Sequence, residues 1–214
     1  MRDFPIFTTE YGVSSLFLKE IPYKNEAYIR IRDVQEEAFE EHLRECVSFC
    51  RMAGAERIFA ADHEKLEGYP QAASVLEMRG TAWVDPDKLK NLFPVTEATV
   101  ARWRQLHNER LRSVACSGTL TAKEEKEIVA SGGAYFVHDN GQLLGLGWVE
   151  NEELKTVASV QKGAGECVMH TLMSLIEGKQ MHLEVASTNE RAIRLYENLG
   201  FLKTREITRW YCVG

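Results

Sequence analysis

The sequence predicts a mixed α/β protein whose second half carries a strand–turn–helix–strand–helix unit preceded by an antiparallel hairpin. Three observations carry that prediction. Apolar residues repeat with a period of two in several runs and with a helical period in others. Asp139-Asn140-Gly141 separates two strand-like runs, and an Asn-Gly step favours a tight hairpin turn. Gln161-Lys162-Gly163-Ala164-Gly165 stands between a strand-like run ending at Val160 and an apolar helix. A hairpin ahead of a strand–helix–strand unit excludes a fully parallel, doubly wound sheet.

Taken in order, Val13 to Ile21 and Ala27 to Ile31 alternate β-branched and aromatic residues, with Pro22 and Asn25 between them. From Glu36 to Met52 the period becomes helical, with Phe39, Leu43, Cys46, Val47 and Cys50 on one stripe, and Gly54 stops it. Arg57 to Ala61 reads as a strand, a short helix is expected after Pro70, and Val75 to Trp83 reads as extended. Thr96 to Leu111 and Thr121 to Ala130 read as helices, the second opened by Thr121 and Glu124 in a capping-box spacing. Ala134 to His138, Gln142 to Glu150 and Leu154 to Val160 are strands. A helix over Glu166 to Glu177, a strand over Met181 to Ala186 and a helix over Asn189 to Leu199 follow, with Gly200 as its C-terminal stop. Phe201 to Val213 closes the chain as extended residues.

The 214 residues include 26 basic and 32 acidic side chains, for a formal net charge of -6. Apolar residues make up 44% and charged residues 27%, which suits a globular core and not wholesale disorder. An acidic total does not advertise the basic face of a duplex-binding protein, so no nucleic-acid partner is expected. The opening MRDFPIFTTEYG lacks the basic stretch and apolar run of a secretory leader, and no run approaches the apolar length that crosses a bilayer. Cys46, Cys50, Cys116, Cys167 and Cys212 form an odd set without a CxxC pair, as expected of reduced thiols in a cytoplasmic protein. His42, Cys46 and Cys50 share a helical face, but Phe39, Leu43 and Val47 lie beside them and no fourth ligand is evident. Core packing is expected there, and no metal.

Charge differs between the halves. Residues 1–92 carry a net of -5 and residues 93–214 a net of -1, with the polar, proline-bracketed stretch Asp85 to Pro94 between them. A boundary near residue 93 is expected, although both halves can share one sheet.

The glycine-bearing turn is the first chemical candidate. Amides at a helix start, with the positive end of the helix, suit a diphosphate. Gly163 and Gly165 remove side chains from the approach, and Lys162 adds a positive charge. Two glycines also make an ordinary turn, and Glu166 puts a negative charge in the first helical turn. The Lys-Ser/Thr pair of a triphosphate loop is absent, since Glu166-Cys167 follows, and so is the third glycine of a dinucleotide fingerprint. Neither a G-x-S-x-G nucleophile elbow nor an H-E-x-x-H helix occurs.

Together with the segment Asn189-Glu190-Arg191-Ala192-Ile193-Arg194-Leu195-Tyr196-Glu197-Asn198-Leu199-Gly200-Phe201, this turn resembles the GNAT superfamily of N-acetyltransferases over roughly residues 93–214. The family pattern N-x-x-A-x-x-x-Y-x-x-x-G-F is met at every fixed position. In the turn pattern Gln/Arg-x-x-Gly-x-Gly/Ala, Gly163 and Gly165 match, whereas Val160 replaces the first polar residue and Gln161 follows it. The resemblance implies a GNAT-like fold with an additional N-terminal α/β half. It also implies acetyl-coenzyme A as donor, a primary amine on a small molecule or peptide as acceptor, and direct transfer without a metal. The pantetheine arm would pair with an opened strand over Val157, Ala158 and Val160, and the diphosphate would lie over Lys162, Gly163, Ala164, Gly165 and Glu166. Asn189 would cap its helix and contact the arm, and Tyr196 would serve the departing thiolate.

An ammonium group must lose a proton, at an ordinary pKa of about 10, before it attacks a thioester. Glu150, at a strand end, and Glu184, alternating between Leu183 and Val185, are the candidate bases; a solvent-facing turn acid and a solvated sheet position are their plain structural readings. Tyr196 shares a helical face with Ala192, Leu195 and Leu199, which also fits a core ring whose hydroxyl reaches the surface. Amides around Val160 are expected to polarise the thioester carbonyl. His138, beside the hairpin, and His170, in the helix after the turn, are weaker bases by position.

The first half repeats part of this order but has Arg32-Asp33-Val34-Gln35-Glu36 where the glycine turn would stand. It reads as a degenerate copy of the same fold or as a separate packing or acceptor-binding domain. An acetyltransferase is the leading expectation, against a non-catalytic coenzyme A-binding regulatory protein and a two-domain adaptor. Edge strands and scattered aromatics permit a homodimer without requiring one.

Overall fold

The computed structural model describes residues 5–214; the first four residues of the stretch read for a leader lie outside them. Packing divides the chain into two compact units, one of residues up to Ser74 with Ile207–Gly214, the other Val75–Glu206. This differs from the cut near residue 93. The first unit takes in a stretch remote in sequence and the second begins at Val75, ahead of the polar stretch, because a change of composition does not reveal a strand's pairing partner.

In the first unit, β1 (Ile6–Thr8), β2 (Gly12–Phe17) and β3 (Glu26–Val34) run antiparallel in that order. The run predicted over Val13 to Ile21 breaks after Phe17, because Pro22 sits in the first turn of the short helix α1 (Ile21–Lys24), where proline loses no hydrogen bond. Helix α2 (Phe39–Met52) then crosses over to β4 (Arg57–Ala61), which lies parallel to β3. Its buried stripe is Phe39, His42, Leu43, Cys46 and Cys50, the 3.6-residue pattern legible in the sequence. Burying each large apolar side chain of this kind contributes about 1.5–3 kcal/mol. His42 is fully buried, with Nδ1 2.8 Å from the Thr9 hydroxyl and Nε2 2.8 Å from the Ser14 hydroxyl. Both ring nitrogens are therefore engaged within the core. The chain's last residues close this unit, with Tyr211 opposite Ala60 and Cys212 opposite Phe59.

The second unit contains β5 (Gln71–Thr81) from Val75 onward, β6 (Asn91–Pro94), α3 (Val100–Leu111), α4 (Glu125–Ser131), β7 (Ala134–Asp139), β8 (Gln142–Glu150) and β9 (Glu153–Ser159). It continues with α5 (Gly165–Met173), β10 (Gln180–Ala186), α6 (Glu190–Asn198) and the start of β11 (Leu202–Cys212). The helix expected after Pro70 is not formed. Gln71 onward belongs to β5, where Ala73, Ser74 and Met78 are buried and Gly80 lets Phe201 approach to within 3.0 Å of where a Cβ would stand.

Within this unit the strand order is β11–β5–β10–β9–β8–β7–β6, with β9 and β10 parallel and β5–β10, β8–β9, β7–β8 and β6–β7 antiparallel. The mixed α/β sheet is the class expected from the sequence. At the β7–β8 hairpin Asn140 and Gly141 both have positive φ, 48° and 78°, as a two-residue turn of this hand requires. Thr121 and Glu124 form the expected capping box.

Leu146 and Trp148 of β8 join Trp103, Leu106 and Ile128 in the core beneath α3 and α4. Gly145 and Gly147, which alternate with them along the strand, face α5 instead. A Cβ on Gly147 would lie 2.2 Å from Leu172, and one on Gly145 would lie 2.6 Å from Val168. Those two glycines let α5 lie close to the sheet, over a core of Val168, Met169, Leu172, Leu183, Tyr196 and Phe201.

Candidate active site

Strands β9 and β10 pair only at Glu153–His182 and Leu154–Leu183, and beyond Leu154 they part. The parallel pair of the first unit, in contrast, holds five successive rungs from Glu26–Arg57 to Arg30–Ala61. The gap in the second unit opens into a cleft of about 710 Å³. Its walls include Val157 to Gly163, Gly165 and Glu166 on one side, and Asn189, Arg191, Ala192, Leu195 and Tyr196 on another. The C-terminal end of α3 and the loop after it add Arg110, Leu111 and Val114.

The free edge of β9 follows from its pairing. The Val160 amide donates to the Leu144 carbonyl at 2.7 Å, and Ala158 pairs with Leu146. Backbone groups alternate sides along a strand, so Val157 and Ser159 turn theirs toward the gap. This corrects the expectation at Val160: its amide is consumed within the sheet, and the free donors are its neighbours. Ala158 lines the cleft but spends its backbone on β8.

After Val160 the chain turns through Gly163, whose φ of +88° strains any side-chain-bearing residue. Gly165 matters for packing instead, because a Cβ there would stand 3.2 Å from Leu195 Cδ2; the glycine lets α5 begin against α6. The amides of Lys162, Gly163, Gly165, Glu166 and Cys167 have no carbonyl partner among the described residues, whereas Ala164, the N-cap, donates to Gln161 and is not part of the cleft wall. A run of free amides at the positive end of α5 is a cradle for an anion. Glu166 points its charge to Lys88, with Oε2 3.5 Å from Nζ.

Arg110, Lys162 and Arg191 form no ion pair among the described residues, while Glu166 is the only acid of the cleft wall. The mouth is thus cationic on a chain of net charge -6. Lys162 was among the residues expected there. Arg110 lies far earlier in the chain, in a helix of ordinary appearance separated from the turn by α4 and three strands, and Arg191 occupies a free position of the Asn189–Phe201 pattern, so neither stood out.

Asn189 caps α6, its Oδ1 accepting from the Ala192 amide at 3.3 Å, and also lines the cleft. Tyr196 is 6% exposed, with its ring against Phe201 and no hydrogen-bond partner for its hydroxyl among the described residues. Burial raises its pKa, so the hydroxyl stays protonated at neutral pH and is available as a donor toward the cleft.

The two candidate bases part company. Glu150 lies at the hairpin end of β8, opposite Glu153, and forms an ion pair with Lys155. Three residues separate it from Gly147, the partner of Val157 at the near end of the cleft wall, which places it roughly 10 Å along the strand from the cleft. It does not face the gap. Glu184 stands one residue beyond the last β9–β10 rung, at the fork but outside the cleft wall, and alternation puts it on the sheet face opposite buried Leu183 and Val185. It is exposed, yet its carboxyl is pushed above the usual range, first by partial loss of water and then by Glu153 and Glu77. His138 packs edge-on to Phe93, and buried His170 accepts from the Asp85 amide; neither reaches the cleft. Among the described residues no group of three or more His, Cys, Asp or Glu side chains has metal-binding geometry, and no helix is long and apolar enough to cross a membrane.

No family model and no curated protein sequence matches the chain. Solved structures do. A GCN5-related N-acetyltransferase from Kribbella flavida is 11% identical with a TM-score of 0.57, over 96% of this chain and 58% of that one. A GCN5-related N-acetyltransferase from Sphaerobacter thermophilus is also 11% identical, with a TM-score of 0.50 over 94% and 76%. A tandem GNAT protein from the clavulanic acid biosynthesis pathway is 13% identical, with a TM-score of 0.50 over 95% and 79%. The chain therefore has the fold of the GNAT acetyltransferases.

Proposed function

We propose that the second unit binds acetyl-coenzyme A and transfers its acetyl group to a primary amine of a small molecule or peptide. The observation that carries this reading is the parting of β9 from β10 after Leu154 and Leu183, which exposes a strand edge leading to a row of free amides. The residues present fit such a donor: an amide-bearing arm can pair with Val157 and Ser159, and a diphosphate with the free amides of Lys162, Gly163, Gly165, Glu166 and Cys167. When bound, acetyl-coenzyme A supplies an activated acyl carbon. The Tyr196 hydroxyl, kept neutral by burial, gives a proton toward the departing sulfur. Glu184 at the fork takes the ammonium proton, directly or through water, and its raised pKa suits it to that exchange. The N–C bond forms as the C–S bond breaks. Free amides at Val157 and Ser159 polarise the carbonyl.

In this reading the first unit is a degenerate copy whose gap is closed. Its five-rung β3–β4 pairing leaves no strand edge between those two strands, and Glu36 and Glu37 stand in the turn just ahead of its crossover helix. Cytoplasmic chemistry fits the free thiols.

Acetyl-coenzyme A and coenzyme A are expected to raise the melting temperature where NAD and ATP do so less, with one coenzyme bound per chain. Thiol release is then followed across a panel of amines. Absence of any shift with either coenzyme refutes the proposal. Binding without thiol release from any amine favours the regulatory, non-catalytic alternative.

A further inference from the structure

We infer that Arg110 and Arg191 bind the 3′-phosphate of the donor nucleotide, so that the cleft selects coenzyme A over its 3′-dephospho form. This rests on the coenzyme reading above and adds a specificity that the free amides do not supply.

The cleft holds more positive charge than a diphosphate requires. Five free amides and the Lys162 ammonium already face the turn, and a diphosphate linkage carries only two charges. Arg110 and Arg191 remain, both exposed and neither bound to a carboxylate among the described residues. Arg102 and Arg112 are also without an ion pair among the described residues but do not line the cleft, whereas two other neighbours are held. Arg104 on the same helix as Arg110 is held by Glu125 at 2.7 Å, and Arg194, three residues after Arg191, is held by Glu190 at 2.6 Å.

Both arginines also stand at the outer end of the cleft. Strands β9 and β10 are parallel and finish at the same edge, and α6 begins just beyond that edge, so Arg191 is in its first turn while Tyr196 lies more than one turn deeper. On α3, Trp103 packs against Trp148, which pairs with Thr156, and Arg110 comes two turns later, toward the turn that follows Ser159. A phosphomonoester carries close to two charges at neutral pH and three oxygens, which planar guanidinium forks match in pairs.

Calorimetric titration of the full chain with coenzyme A and with 3′-dephospho-coenzyme A tests the inference. Wild type is expected to bind coenzyme A at least about tenfold more tightly. The double variant Arg110→Gln, Arg191→Gln should bring the two affinities within about twofold by weakening coenzyme A alone, while Arg194→Gln keeps the wild-type ratio. Melting temperatures confirm that the variants are folded. Equal affinities in wild type, or a double variant that weakens both ligands alike, overturns the inference and leaves the coenzyme reading in place. Failure of wild type to bind either ligand overturns the coenzyme reading and this inference with it.

Discussion

Glu77 and Glu184 face one another as Cα partners across β5 and β10, yet only Glu77 is held by cations. Arg79 Nε donates to the Glu77 carboxylate at 2.8 Å, the Thr204 hydroxyl at 2.8 Å and Arg205 at 3.0 Å. The Arg79 and Thr204 hydrogen bonds, with Arg205, hold the Glu77 carboxyl down at about 2. The folded state therefore keeps this charge where the unfolded chain would take up a proton. Stability from Glu77 is complete above its ordinary value near 4.5 and is lost as pH falls toward 2. Glu77→Gln should melt below wild type at pH 7, with a difference that shrinks between pH 4.5 and 3. A difference that does not change with pH in thermal melts would contradict this account.

His42 gives the opposite kind of handle in the first unit. Burial lowers its pKa, and the Thr9 and Ser14 hydroxyls occupy both ring nitrogens. The unfolded chain takes up a proton near 6.5 while the folded ring resists it, so stability falls as pH drops below that point. His42→Gln is expected to lower stability at pH 7.5 and to flatten the loss between pH 7 and 5. Denaturant midpoints at several pH values measure both effects; an unchanged slope in the variant would sink the assignment.

Close packing under α5 makes Gly147 a constrained position near the cleft that has no ligand role. A Cβ there meets Leu172 Cδ1 at 2.2 Å and Cδ2 at 2.7 Å. Gly147→Ala forces the helix away from the sheet at an expected cost of about 1–3 kcal/mol. The same shift moves the amides at the helix start, so coenzyme affinity should fall together with the urea midpoint. Gly163→Ala has open space around it but the wrong backbone sign, and should cost stability of about 1–2 kcal/mol through φ alone.

What could be read from the sequence was local. The stripe from Phe39 to Cys50, the Asn140-Gly141 turn, the Thr121–Glu124 box and the Asn189 cap each depend on residues a few positions apart. The strand edge beside Val157 was also legible in outline, through the glycine turn and the Asn189–Phe201 pattern. Register was not. Whether Val160 or Val157 has a free amide depends on Leu144, and the distance of Glu150 from the gap depends on its pairing with Glu153. The segment after Pro70 looked helical because its neighbours in β10 and β11 lie more than a hundred residues away. Arg110 shares no spacing with the turn it faces, so only the packing of α3 brings it there.

Tyr196 allows the proposed chemistry to be separated from simple binding. Its ring fills the core beside Phe201, and Phe in its place keeps that ring while deleting one hydroxyl. The hydroxyl has no protein partner to orphan among the described residues, so Tyr196→Phe should leave the melting temperature close to wild type. If the hydroxyl protonates the departing sulfur, turnover should fall about ten- to a hundredfold while affinity for coenzyme A changes less than about twofold. Burial raises the tyrosine pKa, so wild-type turnover should show no loss from this group up to pH 9. A variant that turns over as wild type does would remove Tyr196 from the chemistry and leave it a wall of the cleft. A variant that loses coenzyme affinity in proportion to turnover would assign the hydroxyl to binding instead.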